Sequence, residues 1–293
     1  MGAHSWPSLG DQLAVASALY GNTRCVDSWL AEQFSYVDDL SFARQFSDHI
    51  SLRGIAPLDY AHRLIETSHG DLLGGIRFYN RDIRRPFVEV IAHSFNDLGA
   101  MTDTVAQEWA PFGMYHARLR TSPGRFSGRG VELDQTIHAA AARRMAGVDP
   151  GVELAPFERA DDAIALVAER YQDLERYDSA LAGDIARSDA DDIRGWVRSG
   201  EMQAIVADGH LVGALAVASD EVGWMTGEVV QDEVVASAYA GRGYAAAAQA
   251  RWAHEANPRA LLLGTIARRN VASRRSAERA GRPAVLEDVF LTL

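Results

Sequence analysis

A strand that runs into a glycine-rich turn and then into a helix constrains this chain more than any other segment. A valine-rich stretch from Glu228 to Val235 is followed by Gly241, Gly243 and an alanine-rich helical pattern. The unpaired N–H groups of such a turn and of the first helical turn converge at the positive end of the helix dipole, where they bind phosphate oxygens. Glycine tolerates positive φ and lets the backbone approach a ligand. No lysine follows the second glycine, so the segment is not a P-loop.

The order of segments around this turn resembles the GNAT acetyltransferases. The turn reads Ala240-Gly241-Arg242-Gly243-Tyr244-Ala245; a helix to about residue 257, a strand at 260–266, Asn270, Ser273 and the segment 278–281 follow it. The superfamily's loop reads Gln/Arg-x-x-Gly-x-Gly/Ala and binds the pyrophosphate of acetyl-coenzyme A. Gly243 and Ala245 match it, whereas Ala240 stands where Gln or Arg is usual. The resemblance covers about residues 152–293 and implies that the turn, Asn270 and Ser273 bind the coenzyme.

The resemblance also implies where the thioester carbonyl binds. In the family fold a strand diverges from its neighbour at the end of the valine-rich segment, and a main-chain N–H there contacts that carbonyl. The alignment places this group at Val235 or Val234. Strict alternation along the strand then predicts two faces. Glu233, Gln231 and Val229 are expected on the face of Val235, with Asp232 and Val230 opposite.

Two carboxylates are candidates for the general base. Glu233 is the first, acting directly or through a water, because a carboxylate inside an apolar strand tends to have a raised pKa. Glu228, at the start of the strand, is the second. The alternative for Glu233 is a solvated or salt-bridged carboxylate, as most glutamates are. Asp232, on the opposite face, is expected to be structural.

The usual general acid of the family is missing. Many GNAT enzymes use a tyrosine near the C-terminus, and that position aligns with Ala277 here. No tyrosine follows Tyr244. Ser276, Ser273 or water then protonates the thiolate, or the coenzyme leaves as the anion. A cluster of arginines beside Asn270 either meets the 3′-phosphate of the coenzyme or forms a solvated basic face; its members are Arg268, Arg269, Arg274 and Arg275.

The second half of the chain has the element order of that superfamily. Residue patterns predict strands and helices in a fixed sequence. These are a strand at 153–157, helices at 161–171 and 189–197, strands at 202–207 and 211–217, and the valine-rich strand. Asp189 is a plausible N-cap, and Asp208-Gly209 predicts a hairpin turn between the paired strands.

The first half carries a fainter version of this order. The predicted elements are a strand at 46–55, a helix at 58–67, strands at 71–79 and 87–93, a helix at 102–109, a strand at 114–120 and a helix at 131–145. A loop rich in Gly, Pro and Asp at 146–151 divides the chain, so two domains are expected, 1–147 and 148–293. The predicted class is α/β of the α+β kind: a C-terminal GNAT fold with a mixed, mostly antiparallel sheet flanked by helices. The N-terminal domain is either a degenerate GNAT-like repeat, as in tandem proteins, or an unrelated α+β domain.

A second loop matches the motif literally. Arg125-Phe126-Ser127-Gly128-Arg129-Gly130 reads Arg-x-x-Gly-x-Gly and lies between a predicted strand and a predicted helix. The Asn and the Ala/Glu/Gly-rich segment that should come after it are absent. A flexible linker is therefore favoured over a second coenzyme site.

Composition excludes several classes of function. The 29 basic residues are all arginine, so no lysine is present to form a Schiff base, and the net charge of −11 argues against nucleic acid as a partner. The single cysteine, Cys25, and the spacing of the nine histidines indicate no metal site. No long apolar run predicts a membrane span, and the first ten residues lack a signal-peptide pattern. We expect a cytoplasmic protein, and the arginine- and alanine-rich composition is typical of a GC-rich bacterial genome.

These observations predict an N-acyltransferase. Acetyl-coenzyme A is the expected donor and a primary amine of a small molecule the expected acceptor, bound in a cleft between the two halves and attacking directly. One alternative is an acyl-coenzyme A-binding regulatory or partner protein without turnover, which the missing tyrosine and Ala240 favour. Another is an acyltransferase with a longer acyl or an aminoacyl donor. The sequence leaves the oligomeric state open.

Overall fold

The chain forms two compact units in a computed structural model that describes residues 2–149 and 151–293. The first unit comprises Met1–Gln135 with Leu286–Leu293, and the second comprises Thr136–Val285. This division differs from the predicted ranges 1–147 and 148–293 at two points. It falls inside the strand at 131–141, and it gives the C-terminal strand to the first unit. Within the predicted loop 146–151, Pro150 lies outside the described residues.

The first unit places helices around an antiparallel hairpin and a parallel strand pair. Its helices are α1 (Gly10–Tyr20), α2 (Arg24–Ser35), α3 (Leu40–Ser47) and α4 (Leu98–Glu108). Its strands are β1 (Arg63–Thr67), β2 (Gly70–Phe78), β3 (Pro86–His93), β4 (His116–Thr121), the start of β5 (Val131–Ala141) and most of β11 (Ala284–Thr292). The strands neighbour one another in the order β1-β2-β3-β4-β11, and only the β3/β4 pair among these described neighbours is parallel. One sheet face packs on Met101, Val105 and Trp109 of the α4 region.

The second unit has a similar organisation. Its helices are α5 (Ala160–Tyr177), α6 (Ser179–Asp184), α7 (Ala190–Ser199), α8 (Tyr244–Glu255) and α9 (Val271–Arg279). Its strands are β6 (Val152–Pro156), β7 (Met202–Ala207), β8 (His210–Val222), β9 (Met225–Val235) and β10 (Leu261–Ala267). They neighbour one another in the order β10-β9-β8-β7-β6, with β9 and β10 parallel and the other pairs antiparallel.

Local sequence signals explain most of the second unit. Asp208 and Gly209 both have positive φ, 51° and 75°, as a two-residue hairpin turn requires. Asp189 caps α7 by accepting hydrogen bonds from two backbone N–H groups of its first turn. Apolar residues at helical spacing on α5 pack on one sheet face, while α8 packs on the cluster of the other face. The strands and helices predicted for the second half are present, but α5 and β8 extend six and five residues beyond their predicted ends.

Three predictions for the first half are wrong. Residues 46–55 form the end of α3 and a loop, and residues 58–67 form a 3₁₀ turn (Pro57–Tyr60) followed by β1. The segment 131–145 is the strand β5 with a 3₁₀ turn, and apolar and polar residues alternate at its start, from Val131 to Asp134. Its alanines favour a helix locally, and the sheet environment overrides that propensity.

The two units repeat one arrangement of strands. In each, an antiparallel hairpin leads to a third strand, a helix and a parallel strand: β1-β2-β3-α4-β4 and β7-β8-β9-α8-β10. Both third strands carry one extra residue, Ile91 in β3 and Gln231 in β9. Such a bulge changes which face the flanking side chains occupy. The predicted α+β class, a mixed and mostly antiparallel sheet flanked by helices, is confirmed. None of the helices in the described part of the chain is long and apolar enough to cross a membrane.

Candidate functional site

Strands β9 and β10 part soon after they meet. Their parallel pairing covers only Glu228 with Leu262 and Val229 with Leu263. Beyond this point β9 continues to Val235 and β10 to Ala267 without further pairing between them. We call this opening the fork. It matches the divergence of strands that the resemblance to GNAT enzymes implies.

The hydrogen-bond register decides which main-chain groups face the fork. The N–H of Ala236 donates to the carbonyl oxygen of Val212 at 2.9 Å. Directions alternate along an antiparallel ladder, so Val234 also donates toward β8. The N–H groups of Glu233 and Val235 point to the opposite edge, from which β10 has separated. Of the two residues predicted to offer an N–H, Val235 therefore has the suitable direction and Val234 does not.

The glycine turn lies at the wide end of the fork. Gly241 and Gly243 have φ values of 77° and 88°, and a Cβ atom built on either would meet open space. Gly243 is the N-cap of α8, which has no side-chain cap and no acidic residue in its first turn. The N–H groups of Tyr244 and Ala245 thus begin an uncapped helix, which favours an anion. Ala240 and Arg242 are exposed, and Arg242 donates to the carbonyl oxygen of Ala238 at 3.3 Å.

The bulge at Gln231 corrects the predicted faces of β9. Val230 packs in the same cluster as Val235, on the side of α8. Val234 packs on the α5 side. Because Gln231 is the extra residue, Glu233 shares its face with Val230 and not with Gln231 and Val229. The predicted faces are therefore wrong, because the prediction assumed that side chains alternate without interruption along β9.

Glu233 belongs to a network that the sequence did not reveal. Nε2 of Gln249, on α8, donates to both carboxylate oxygens of Glu233 at 2.9 and 3.0 Å. Nε of Arg282 donates to Oε1 of Gln249 at 3.2 Å. Burial raises the pKa of Glu233 to about 7, and burial lowers the pKa of the Arg282 guanidinium to about 10. Gln249 and Arg282 follow no motif, because only the packing of α8 and the 281–283 turn against β9 brings them together.

Asp232 faces the other side of the sheet. Its carboxylate accepts a hydrogen bond from the Ser188 hydroxyl at 2.7 Å, and the residue is 7% exposed. Burial raises its pKa, although the Ser188 hydroxyl opposes this. Nearby, Tyr171 on α5 donates to the carbonyl oxygen of Ala186, and burial followed by the charge of Asp232 raises the pKa of the phenol.

Glu228, the second candidate base, lies where β9 and β10 are still paired. Its carboxylate accepts a hydrogen bond from the Ser219 hydroxyl at 2.9 Å on an exposed part of the sheet. The structure therefore separates the two candidates. Glu233 is half-buried inside the fork region, and Glu228 sits before the fork begins.

The segment after β10 is held by internal contacts. Oδ1 of Asn270 caps α9 by accepting from the N–H of Ser273 at 3.1 Å. Arg274 donates to the carbonyl oxygens of Ala267 and Arg268, and Arg269 pairs with Asp184 at 2.9 Å. These contacts use two of the four arginines predicted to meet either the 3′-phosphate or solvent. Ala277, which aligns with the family's tyrosine, is fully buried.

The literal motif at 125–130 lies in a different place. It connects β4 to the strand β5, so no helix follows it and the predicted helix start is wrong. Arg125 pairs with Asp11 at 2.6 Å, which ties this loop to α1 of the first unit. Gly128 and Gly130 do adopt positive φ, as turns require. Without a helix N-terminus, the loop lacks the dipole that favours a phosphate.

Comparison with solved structures finds distant similarities to chains described as GNAT acetyltransferases. A GNAT-family acetyltransferase from Colwellia psychrerythraea is 12% identical, with a TM-score of 0.49, and the match covers 88% of this chain and 98% of that one. A GCN5-related N-acetyltransferase from Sphaerobacter thermophilus is 14% identical, with a TM-score of 0.47 and 82% of each chain covered. A tandem GNAT protein from the clavulanic acid biosynthesis pathway is 14% identical, with a TM-score of 0.39 and 86% of each chain covered.

No protein-family model and no curated protein matches the sequence. The roles of individual residues are therefore argued from the fork, the glycine turn and the network of Glu233, Gln249 and Arg282.

Proposed function

We propose that this protein is a GNAT-type N-acetyltransferase that transfers an acetyl group from acetyl-coenzyme A to a primary amine of a small molecule. One observation carries the proposal: β9 and β10 part after two residue pairs, and the opening leads to an uncapped helix N-terminus preceded by glycines at positive φ. A fork of this kind accepts an extended arm, and the helix start accepts an anion attached to it.

The residues present fit the coenzyme. The turn from Ala240 to Ala245 would hold the pyrophosphate through main-chain N–H groups, and open space lies where side chains at Gly241 and Gly243 would be. The N–H of Val235 would bind a carbonyl oxygen of the pantetheine arm. Asn270 and Ser273 would act indirectly, because their mutual hydrogen bond fixes the turn between β10 and α9.

Glu233 is the base in this proposal. Acetyl-coenzyme A supplies an activated thioester, whose carbon forms a bond to the amine nitrogen while the carbon–sulfur bond breaks. Glu233 accepts the proton that the amine loses, directly or through a water, and a pKa of about 7 suits a base near neutral pH. Ser276 or water returns a proton to the thiolate. The net charge of −11 favours a cationic amine as the acceptor.

Turnover assays test the proposal. Purified protein is mixed with acetyl-coenzyme A and a panel of small amines, and the release of free thiol is followed. We expect release that depends on the amine. Coenzyme binding without amine-dependent release from any member of the panel would favour the regulatory alternative. Release from longer acyl or aminoacyl donors but not from acetyl-coenzyme A would favour the donor alternative.

A further inference from the structure

Arg282 carries a polar atom that the protein leaves without a partner. The residue is 2% exposed, and its Nε donates to Gln249, which is itself fully buried. Its Nη1, also buried, has no hydrogen-bond partner among the described residues. A buried donor of this kind costs free energy unless something satisfies it.

The unpartnered atom lies at the narrow end of the fork. A Cβ atom built on Gly264 would be 2.6 Å from Nη1 of Arg282 and 3.6 Å from Cβ of Val230. Gly264 and Val230 are the residues that follow the last paired residues of β10 and β9. Only glycine leaves room for the guanidinium at this point of β10.

The surrounding charges favour a neutral acceptor. Glu233 compensates the charge of Arg282 through Gln249, which bridges the two groups. The main chain fixes the position, since Nδ1 of His138 donates to the carbonyl oxygen of Arg282 at 2.9 Å. A single donor with its charge already compensated fits one carbonyl oxygen better than a second carboxylate.

We propose that Nη1 of Arg282 binds the carbonyl oxygen of the acyl thioester at the narrow end of the fork. This inference rests on the proposed acyltransferase function and adds a side-chain donor to it. Val230 and Val235 pair with Val217 and Gly213 of β8, which are four residues apart, or about 13 Å along a strand. One carbonyl cannot contact both ends of the fork, so the N–H of Val235 binds a different carbonyl, nearer the pyrophosphate. This differs from the placement of the thioester at Val235 that the resemblance implies.

Calorimetric titration of the full chain with two ligands tests the assignment. Acetyl-coenzyme A carries the thioester carbonyl, whereas S-ethyl coenzyme A is a thioether of the same length without it. A hydrogen bond from a charged donor corresponds to about a ten- to hundredfold difference in affinity. We expect the wild-type protein to prefer acetyl-coenzyme A by this factor, and Arg282→Met to remove the preference while binding S-ethyl coenzyme A almost normally.

Other results overturn the assignment. If Arg282→Met weakens both ligands equally, or leaves the preference intact, Arg282 does not bind the thioester carbonyl. If the wild-type protein binds neither ligand, the proposed function itself fails. Since Arg282→Met leaves Glu233 without its counter-charge, the double variant Glu233→Gln/Arg282→Met, which removes both charges, is measured beside it. It must lose the preference too, and Glu233→Gln alone must keep it.

Discussion

The two units follow the same path from their third strand into the next helix, but the ends of these paths differ. In the second unit the path from β9 to α8 passes through Gly241 and Gly243, and no side chain caps the helix. In the first unit the path from β3 to α4 ends at Asp97, whose carboxylate accepts from the N–H of Gly99 at 2.8 Å. A carboxylate thus already occupies the helix start where the second unit would accept a phosphate.

The edges of the two third strands differ in the same way. In the first unit the N–H of His93, two residues after the bulge, donates to the Ser8 hydroxyl at 2.7 Å. The corresponding residue in the second unit is Glu233, whose N–H points to the strand edge from which β10 has separated. Its side chain contacts Gln249, which also contacts Arg282. Shared topology therefore does not imply a shared site. Local groups decide whether strand edge and helix start are satisfied internally or left for a ligand.

The largest effect that the comparison predicts concerns catalysis in the second unit. Glu233→Gln should lower turnover by about 10²–10⁴-fold, the usual contribution of a general base, with coenzyme affinity nearly unchanged. Asp232→Asn is the matched control, since this neighbouring carboxylate faces the other side of the sheet. Wild-type turnover should fall as the pH drops below about 7, because Glu233 becomes protonated there. A Gln variant with normal turnover would refute the assignment of the base.

The second effect concerns the turn. Gly243→Asp places a negative charge beside the proposed pyrophosphate, and like charges at such an interface cost several kcal/mol. Coenzyme affinity should fall by about a thousandfold in a folded protein. Gly128→Asp is the matched control, since Gly128 also has positive φ and open space around its missing Cβ. Calorimetry should find the coenzyme affinity of Gly128→Asp unchanged. Equal losses of coenzyme affinity in both variants would mean that the turn at Gly243 has no special role.

The third effect compares buried titratable groups. His62 lies in the first unit, where its Nδ1–H donates to the carbonyl oxygen of Gln33 and its Nε2 lies beside Nη2 of Arg77. Burial, followed by the charge of Arg77, lowers the pKa of His62 to about 4, so the imidazole is neutral near pH 7. The unfolded chain binds more protons between pH 6.5 and 4, so the free energy of unfolding falls in that window as the pH drops, by roughly 3 kcal/mol. Burial raises the pKa of Glu233 from 4.5, so its contribution has the opposite sign: stability is lost as the pH rises toward 7.

Hydrogen exchange measures the pH dependence of stability that His62 contributes. Amides of β2 should lose protection as the pH falls from 6.5 to 4, after correction for the intrinsic exchange rate, and His62→Gln should weaken this dependence. His93 retains part of it, because burial lowers its pKa to about 4 as well. An unchanged slope in His62→Gln would show that His62 is not a buried neutral group.

The smallest effect concerns the cap of the first unit. Asp97→Ala should lower the free energy of unfolding by about 1 kcal/mol, the usual cost of losing an N-cap. Asp39 caps α3 in the same way, by accepting from the N–H of Ser41, so Asp39→Ala is the matched control. Neither variant should gain a second coenzyme site, because the helix starts lack a glycine turn. Thermal unfolding measures the change in stability, and calorimetry measures how many coenzymes bind. A second bound coenzyme in Asp97→Ala would show that the Asp97 cap alone prevents the first unit from binding one.

Sequence patterns predicted the second unit well because its signals are local. The Asp208-Gly209 turn, the Asp189 cap and the two glycines before α8 each specify their own backbone conformation. The same reasoning mistook β5 for a helix, because alanines favour a helix wherever the sheet does not decide. It also found none of the helices α1 to α3.

The interior of the candidate site was less predictable. The bulge at Gln231 has no sequence signal, yet it determines which residues share a face with Glu233. Gln249 and Arg282 are separated from Glu233 along the chain by 16 and 49 residues, and only tertiary packing brings the three together. Motifs identify a main-chain anion site, whereas the side chains around a buried carboxylate depend on contacts that no short motif encodes.

We infer that the second unit alone holds a coenzyme site. Calorimetric titration of the full-length wild-type protein with acetyl-coenzyme A counts the sites directly. A stoichiometry of one coenzyme per chain is the predicted result, because Asp97 and Ser8 already satisfy the corresponding groups of the first unit. Two coenzymes per chain would show that the first unit also holds a site, and no binding at all would show that the second unit holds none.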